Sequence, residues 1–333
     1  MRNFDYAVAN RVDEAFSIDG GQTMAIAGGT ELLNWFRLGI AAPDKIVDIG
    51  RIAGLEAIER SGDRISIGAL ATLNQIGENA IVREHAAVLA DACLKAASPQ
   101  VRNRATIGGN VLQKTRCAYF RAEAPLPWGC NKRVPGSGCS AREGLNDRHA
   151  IFGWTDACVA VQPSDPLVAL AALDAEVEIA ARAGRRTLAV ADLHLTQQEA
   201  VAAGLDAALA ETQLKPGEVI VGYKLPIRTG ERSAYVKVRE RASYEYALVS
   251  AAAVVMIEHG RIARAAVALG SVAQKAWRLH AVEAQLIGKP PTRDAALPIL
   301  SAGLADARPL AHNGYKVAMA ARAATRAIVE AAA

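Results

Sequence analysis

The first two thirds of the chain alternate between short apolar runs and segments in which apolar residues recur at helical spacing. Runs rich in Ile and Val predict strands, and recurrence every three or four residues predicts helices. The predicted strands are 24–27, 45–49, 64–70, runs near 177 and 188, and 219–225, and the predicted helices are 31–38, 82–96 and 165–173. Thr72, followed three residues later by Gln75, predicts a capping box. Strands and helices in this mixture predict α/β layers.

The last third has a different order, with strands first and helices afterwards. Strands are predicted at 235–239, 247–257 and 262–271, with His259-Gly260 as a hairpin turn, and helices at 276–287, 295–305 and 315–331. This order is typical of an α+β unit. We therefore place a domain boundary near Thr229-Gly230.

Between 111 and about 152 the chain loses both kinds of periodicity, and Gly, Pro, Arg, Asn and Cys dominate. Structureless runs of this length inside a compact domain are uncommon and usually functional. The stretch from this region to Asp165 holds four of the chain's five cysteines, in the spacing C-x12-C-x8-C-x18-C: Cys117, Cys130, Cys139 and Cys158. Four thiolates on one loop suit a sulfur-ligated metal centre, and ligation would replace the missing apolar core.

Spacing alone leaves three interpretations of these cysteines open. An iron–sulfur cluster takes four thiolates. Structural zinc uses four as well, but usually from close C-x2–4-C pairs, which this sequence lacks. Disulfides belong to oxidising compartments, and the chain carries no secretory signature. The remaining cysteine, Cys93, is predicted to be a small buried residue on a helix face.

Composition narrows the classes of function. The 333 residues predict two or three domains, and the net charge of +4, without basic runs, argues against nucleic-acid binding. The longest apolar stretch, 247–257, is too short to span a bilayer, so direct membrane insertion is not expected. The compartment stays open between cytoplasm and periplasm, because a subunit can be exported with a partner.

Two glycine pairs carry the candidate cofactor chemistry. Gly28-Gly29 precedes Thr30, and Gly108-Gly109 lies between Thr106 and Asn110. Glycine lets the backbone approach a phosphate, and successive N–H groups can form an anion-binding nest. Each pair alone is more often a plain tight turn, and neither belongs to a G-x-G-x-x-G or P-loop motif. Together they favour one diphosphate held from two sides.

These residues also carry a resemblance. Residues 25–33 (AIAGGTELL) resemble the first FAD-binding loop of the xanthine dehydrogenase-type flavoproteins, and 102–110 (RNRATIGGN) resemble the second. Residues 162–165 (QPSD) are similar to the segment whose Asp lies beside the flavin, and Lys237 stands where the family has a basic residue near the flavin. Residues 266–272 and 315–317 resemble the end of the same proteins, so the resemblance covers nearly the whole chain.

The resemblance implies an α+β fold: a PCMH-type (vanillyl-alcohol-oxidase-like) FAD-binding domain in two lobes, followed by a smaller α+β domain like that of CO dehydrogenase flavoproteins. The FAD-binding domain is expected at 1–228, with lobes at about 1–55 and 56–228 and an insertion at about 111–160. The second domain is expected at 229–333. Within this fold the implied FAD-binding residues are Ala25, Ile26, Ala27, Gly28, Gly29, Thr30, Glu31, Leu32, Thr106, Gly108, Gly109, Asn110, Asp165, Ile220 and Lys237.

The resemblance also selects among the interpretations of the cysteines, because a subset of these flavoproteins carries a [4Fe-4S] cluster on such an insertion. Arg116, Lys132, Arg133 and Arg142 would offset thiolate charge or simply face solvent, whereas His149 is discounted as a ligand. Tyr246 is expected either to shield the flavin or to pack in the core.

The implied function is the FAD-carrying electron-transfer subunit of a molybdenum-dependent aldehyde oxidoreductase or hydroxylase. Its implied partners are a large molybdenum-cofactor subunit, a small [2Fe-2S] subunit and an external electron acceptor, and no catalytic residue is assigned to this chain. The alternatives are a self-contained flavin oxidase, a subunit of a 4-hydroxybenzoyl-CoA-reductase-like complex, and a zinc-stapled binding protein.

Overall fold

The computed structural model describes residues 3–333. The strands are β1 Asp5–Val8, β2 Thr23–Ile26, β3 Lys45–Asp48, β4 Ile58–Ser61, β5 Arg64–Gly68, β6 Glu176–Ala181, β7 Gly184–Ala189, β8 Val219–Pro226, β9 Glu231–Val238, β10 Val249–Glu258, β11 Arg261–Gly270 and β12 Trp277–Arg278. The α-helices are α1 Leu32–Arg37, α2 Leu73–Glu78, α3 Ala80–His85, α4 Ala87–Lys95, α5 Pro99–Arg102, α6 Ile107–Val111, α7 Ala118–Arg121, α8 Asp165–Ala172, α9 Val190–Leu193, α10 Gln197–Ala202, α11 His280–Leu286, α12 Arg293–Ala302 and α13 Tyr315–Ala332.

The N-terminal lobe is built on a small parallel sheet in the order β1-β3-β2. Parallel neighbours need a crossover, and α1 supplies it between β2 and β3. The buried face of α1, Leu32, Trp35 and Phe36, packs with Ile46 of β3. This strand–glycine–helix unit confirms the prediction for residues 24–38.

The second lobe contains a five-stranded antiparallel sheet in the order β4-β5-β8-β6-β7. Its largest apolar core joins residues of the sheet to α2, α4 and α8. The capping box at the start of α2 is present, with Thr72 Oγ1 accepting from Gln75 N and the Gln75 side chain accepting from Thr72 N. Cys93 is fully buried on α4, as predicted.

The C-terminal part is an antiparallel sheet, β12-β11-β10-β9, with α13 packed on β9 and β10. Helices α4 and α8 of the preceding lobe contact the same strands, and the core residues of β10 divide between two separate apolar clusters. Small side chains at Ala251–Ala253 suit a strand that is covered on both faces. The hairpin turn prediction is confirmed, because His259 and Gly260 both have positive φ, as a type I′ turn requires.

Several predicted boundaries were wrong. The helix predicted at 82–96 is broken at Ala86, and α4 restarts there with Ser233 Oγ accepting the Val88 N–H of its first turn. The helix predicted from 276 begins only at His280, because Trp277–Arg278 pairs with β11. Strand β4 was missed, since its largely exposed edge lacks an apolar pattern. In the described residues, no helix combines the length and the apolar character that crossing a bilayer requires.

Candidate functional site

A cleft of about 850 Å³ lies where the glycine loops of the two lobes meet. It is lined by every residue of the implied FAD set except Lys237, together with Ala69, Gln113, Arg116, Lys215 and residues 244–246. The fold therefore brings to one cleft predicted residues that lie more than 190 positions apart in the chain, from Ala25 to Ile220. Lys237 lies outside the cleft lining, and its contact with the site is indirect.

The first glycine loop touches the second lobe directly at Gly28. A Cβ added to Gly28 would lie 1.8 Å from the carbonyl oxygen of Arg104, so the backbones of the two lobes meet here with no space for a side chain. Gly29, the next residue, has φ +73, which glycine adopts without strain. The backbone crossing therefore requires glycine at position 28, and the positive φ favours glycine at position 29.

The second glycine pair does not follow a strand, as the sequence interpretation assumed, but begins the one-turn helix α6. Thr106 caps this helix, its Oγ1 accepting from Gly109 N at 3.3 Å. Gly108 packs closely on Ala69, and its amide donates to the Ala69 carbonyl at 2.9 Å. Asn110 Oδ1 accepts from Ser164 Oγ at 2.7 Å, which ties the loop to the start of α8.

The charged side chains of the cleft are mostly acidic and already partnered. The carboxylates that line it are Asp19, Glu31, Asp165, Glu218 and Glu245, and each accepts hydrogen bonds from other protein groups. Among the described residues, the cations in the lining are Arg116 and Lys215. A diphosphate here would therefore rely on main-chain N–H groups of the first glycine loop more than on a cluster of cations, because the Gly108 and Gly109 N–H groups already donate within the protein.

Asp165 lines the cleft, and two buried groups hold its carboxylate. Tyr235 Oη donates to its Oδ1 at 2.5 Å, and Lys237 Nζ donates to its Oδ2 at 2.7 Å. Lys237 is almost fully buried and also donates to the Lys95 carbonyl at 3.0 Å. Burial, reinforced by the Asp165 charge, raises the pKa of Tyr235. Lys237 thus acts on the cleft through Asp165.

Sequence reasoning missed a network of two arginines around Glu31 in the cleft wall. Arg116 donates to Glu31 Oε2 at 2.9 Å, and Arg121 also donates to the Glu31 carboxylate. Burial alone would raise the pKa of Glu31, but the charges of Arg116 and Arg121 outweigh it and lower that pKa. The Arg116 guanidinium lies 4.5 Å from the centre of the Tyr246 ring. Tyr246 lines the cleft, which is the position that shielding a flavin would require.

The four cysteines of the insertion line one small cavity, which we call the cysteine cavity. Cys130 and Cys139 face each other across an isolated antiparallel bridge. Cys117 directly precedes α7, and Cys158 lies near the end of the insertion. All four are free thiols. Burial raises the pKa of Cys117 to about 12 and raises the pKa of Cys130 and Cys139 as well. Thiolates would therefore form here only with a compensating positive charge.

The free volume at the centre of this cavity is about 10 Å³. That is room for about one water molecule, so a larger group would require the thiol side chains to turn outward. Within residues 3–333, no three His, Cys, Asp or Glu side chains converge closely enough to hold a single metal ion. The donor set fits a sulfur-ligated group, but the arrangement of the sulfurs is not that of a single-ion site.

His149 is closer to the cysteines than its position in the sequence indicated. Its Nε2 lies 3.2 Å from Cys117 Sγ, and its Nδ1 is buried without a hydrogen-bond partner among the described residues. Burial lowers the pKa of His149 to about 4, so the ring is neutral at pH 7. A neutral ring with hydrogen on Nε2 would donate to the sulfur.

The basic residues of the insertion differ in environment, and the solvent-facing interpretation is wrong for Lys132. Its ammonium is buried and donates to Glu211 Oε1 at 2.7 Å and to the Ala208 carbonyl at 2.6 Å. Burial would raise the pKa of Glu211, but Lys132 and Lys114 lower it to about 2. Arg142, in contrast, is partly exposed and faces Asp156 at 3.5 Å.

The cleft and the cysteine cavity meet at one peptide bond. Arg116 lines the cleft, and Cys117, the next residue, lines the cavity. The insertion therefore forms part of the cleft wall and also carries the four cysteines.

Comparison with known proteins agrees with this geometry. The model of the FAD binding domain in molybdopterin dehydrogenases matches residues 2–228, and that of the CO dehydrogenase flavoprotein C-terminal domain matches 234–331. The chain is 40% identical to the aldehyde oxidoreductase FAD-binding subunit PaoB of Escherichia coli, over 92% of this chain and 90% of that one. It is 27% identical to the carbon monoxide dehydrogenase medium chain of Hydrogenophaga pseudoflava, over 98% and 96%.

The solved structure of carbon monoxide dehydrogenase from Hydrogenophaga pseudoflava, in a form lacking the Mo-pyranopterin moiety, superimposes with a TM-score of 0.75 at 27% identity. The match covers 99% of this chain and 97% of that one.

Proposed function

Because the chain belongs to the family of FAD-binding medium subunits of molybdenum hydroxylases, and is thus an oxidoreductase subunit, we propose that it is the electron-transfer subunit of an aldehyde-oxidising complex. In this proposal FAD occupies the cleft and a [4Fe-4S] cluster occupies the cysteine cavity. A [2Fe-2S] subunit delivers electrons, a large molybdenum subunit oxidises the substrate, and an external acceptor removes electrons from the flavin.

The observation that carries the FAD assignment is the crossing of the two glycine loops. A backbone contact that excludes a Cβ at Gly28 brings the two loops to one cleft, where the main chain of the first loop can approach a diphosphate closely. The volume of about 850 Å³ is within the range of ligand-binding clefts and spans both lobes. When bound, the flavin accepts electrons from a one-electron donor and releases one or two of them.

Three observations support the cluster. The four cysteines line one buried cavity, and all four are free thiols. Lys132 and His149 lie beside the cysteines and would stabilise the negative charge of thiolates.

The aldehyde assignment rests on the relative with 40% identity, whose name describes an aldehyde oxidoreductase subunit. Substrate oxidation belongs to the partner in this division of roles. The purified chain, supplied with a dye acceptor, should not oxidise aldehydes, and such activity would contradict the division.

The test is metal and flavin analysis of the anaerobically purified chain, with an EPR spectrum after dithionite reduction. We expect about four irons and one FAD per chain, as a [4Fe-4S] cluster held by four cysteine thiolates requires. Cys117→Ser should lose the iron and its EPR signal, whereas Cys93→Ser, a buried cysteine on α4, should retain both. Zinc or no metal in the unmodified chain would contradict the cluster, and absence of flavin would contradict the FAD assignment independently.

A further inference from the structure

We propose that Arg116 is a positioning residue for the flavin: it holds Tyr246 in the wall of the cleft and places a fixed positive charge beside the flavin ring, making the ring easier to reduce. The inference rests on the proposed binding of FAD in the cleft and does not depend on the cysteine cavity. From the sequence, Arg116 was expected either to offset thiolate charge or to face solvent. The proposed role beside the flavin is different from both.

The position of the Arg116 side chain is fixed by its contacts. Its Nη2 donates to Glu31 Oε2 at 2.9 Å and to Gln113 Oε1 at 3.0 Å, and the guanidinium lies over the Tyr246 ring. Cation–π contact and a carboxylate together hold this group in one orientation. The guanidinium is therefore a fixed charge, not a mobile surface group.

The Nε of Arg116 is buried and has no hydrogen-bond partner in the described part of the chain. A buried donor without a partner costs about 1–3 kcal/mol. Because Arg116 lines the cleft, an electronegative atom of a bound ligand can complete this hydrogen bond. The orphaned donor is thus an independent sign that the ligand reaches Arg116.

Arg116, Tyr246 and Asp165 all line the cleft, and the Arg116 guanidinium lies over the Tyr246 ring. Burial raises the pKa of Tyr246, and the charge of Arg116 opposes that rise, in keeping with this contact. In this proposal the glycine loops hold the diphosphate and the flavin ring packs against the Tyr246 part of the wall. A cation there favours added electron density on the ring.

The charges around Arg116 predict shifts of opposite sign. Arg116 and Arg121 share the single Glu31 carboxylate, so the group carries one net positive charge. Arg116→Gln removes that charge and should make the flavin harder to reduce. Glu31→Gln leaves both cations unbalanced and should make it easier to reduce. Arg116→Lys keeps the charge and should stay near the unmodified value.

The experiment is a reductive titration of the full FAD-loaded chain with dithionite and reference dyes, which supply the electrons, followed through the flavin absorbance. We expect Arg116→Gln to lower the equilibrium constant for two-electron reduction at least tenfold, equivalent to a midpoint shift of about −30 mV. Tyr246→Phe keeps the aromatic wall and should shift little. Arg142→Gln, an insertion arginine outside the cleft, is the matched control and should not shift.

Shifts of the same sign in Arg116→Gln and Glu31→Gln, or none in either, would overturn the proposal. If Arg116→Gln and Arg116→Lys both lower FAD content without moving the potential, Arg116 is merely structural and the proposal is also wrong. If Arg116→Gln fails to fold, the positive shift expected of Glu31→Gln still decides the matter. A chain without flavin, in contrast, would refute the FAD assignment itself.

Discussion

Replacing Gly28 with alanine tests whether the contact between the two glycine loops creates the FAD site. The added Cβ would lie 1.8 Å from Arg104 O and 2.7 Å from Arg104 C, 1.6 Å short of the 3.4 Å at which ordinary contact begins for the oxygen. Both partners are main-chain atoms, so no side-chain rotation relieves the clash. The first loop must move away from the second, and the N–H groups that face the diphosphate move with it.

The cost of such overpacking is about 1–3 kcal/mol. If all of it falls on binding, the Kd for FAD rises by about 5- to 150-fold. Two further alanine variants make a graded series. A Cβ on Gly108 meets Ala69 O at 3.1 Å, a smaller conflict, and a Cβ on Gly21 meets only Asp19 Oδ1 at 3.7 Å. We expect the loss of affinity to follow the order Gly28, Gly108, Gly21, with Gly21→Ala near unmodified affinity.

The assay is titration of flavin-depleted chain with FAD, followed by quenching of flavin fluorescence, with thermal unfolding of each variant in parallel. Unfolding of the apo chain separates a misplaced loop from a destabilised lobe. Unchanged FAD affinity for Gly28→Ala, in a variant that folds, would refute the reasoning, because the contact could then be relieved without disturbing the site.

Two predictions concern buried charges. Asp165→Asn leaves Lys237 without its carboxylate and should lower the free energy of unfolding by about 3–5 kcal/mol in urea denaturation, whereas Asp91→Asn, which breaks an exposed pair, should cost less than about 1 kcal/mol. Burial lowers the pKa of Lys316 to about 7 from 10.5, so between these pH values the unfolded chain binds one more proton than the folded chain. The free energy of unfolding should therefore rise with pH in this range, by at most about 1.4 kcal/mol per pH unit. Thermal unfolding of Lys316→Met across pH 7–10.5 should lack this rise, and an unchanged slope relative to the unmodified chain would contradict the reasoning.

The sequence identified some residues of the cleft but not the contacts that others make. Gly28 and Gly109 were predicted because a glycine pair is a local signal, whereas Asp165 was implied only by the resemblance of residues 162–165 to a family segment. The role of Arg116 could not be found in this way. Its partners, Glu31 and Tyr246, lie 85 and 130 positions away, and only the fold brings them together.

His194 illustrates the same limit in the core. A single histidine in a polar segment suggests a surface residue, but His194 is buried and its ring contacts the Gln162 side chain at 3.1 Å. Lys132 was misjudged for the same reason, because its partner Glu211 comes from a distant loop. Burial of polar groups depends on partners that periodicity does not reveal.

The insertion is held by polar contacts in addition to any ligation by its cysteines. Polar groups from outside hold its main chain at several points. Lys316 Nζ and Asn313 Nδ2 both donate to the His149 carbonyl, at 2.8 and 3.1 Å. Arg133 donates from within the insertion to the Leu38 carbonyl of the first lobe, and Lys132 is fixed by Glu211.

These anchors hold the segment whose four cysteines line one cavity. Because Arg116 is carried by the same segment, the anchors that arrange the cysteines also fix the wall of the flavin cleft. Loss of iron through Cys117→Ser should accordingly leave FAD binding largely intact, whereas loosening the anchors should disturb both sites together.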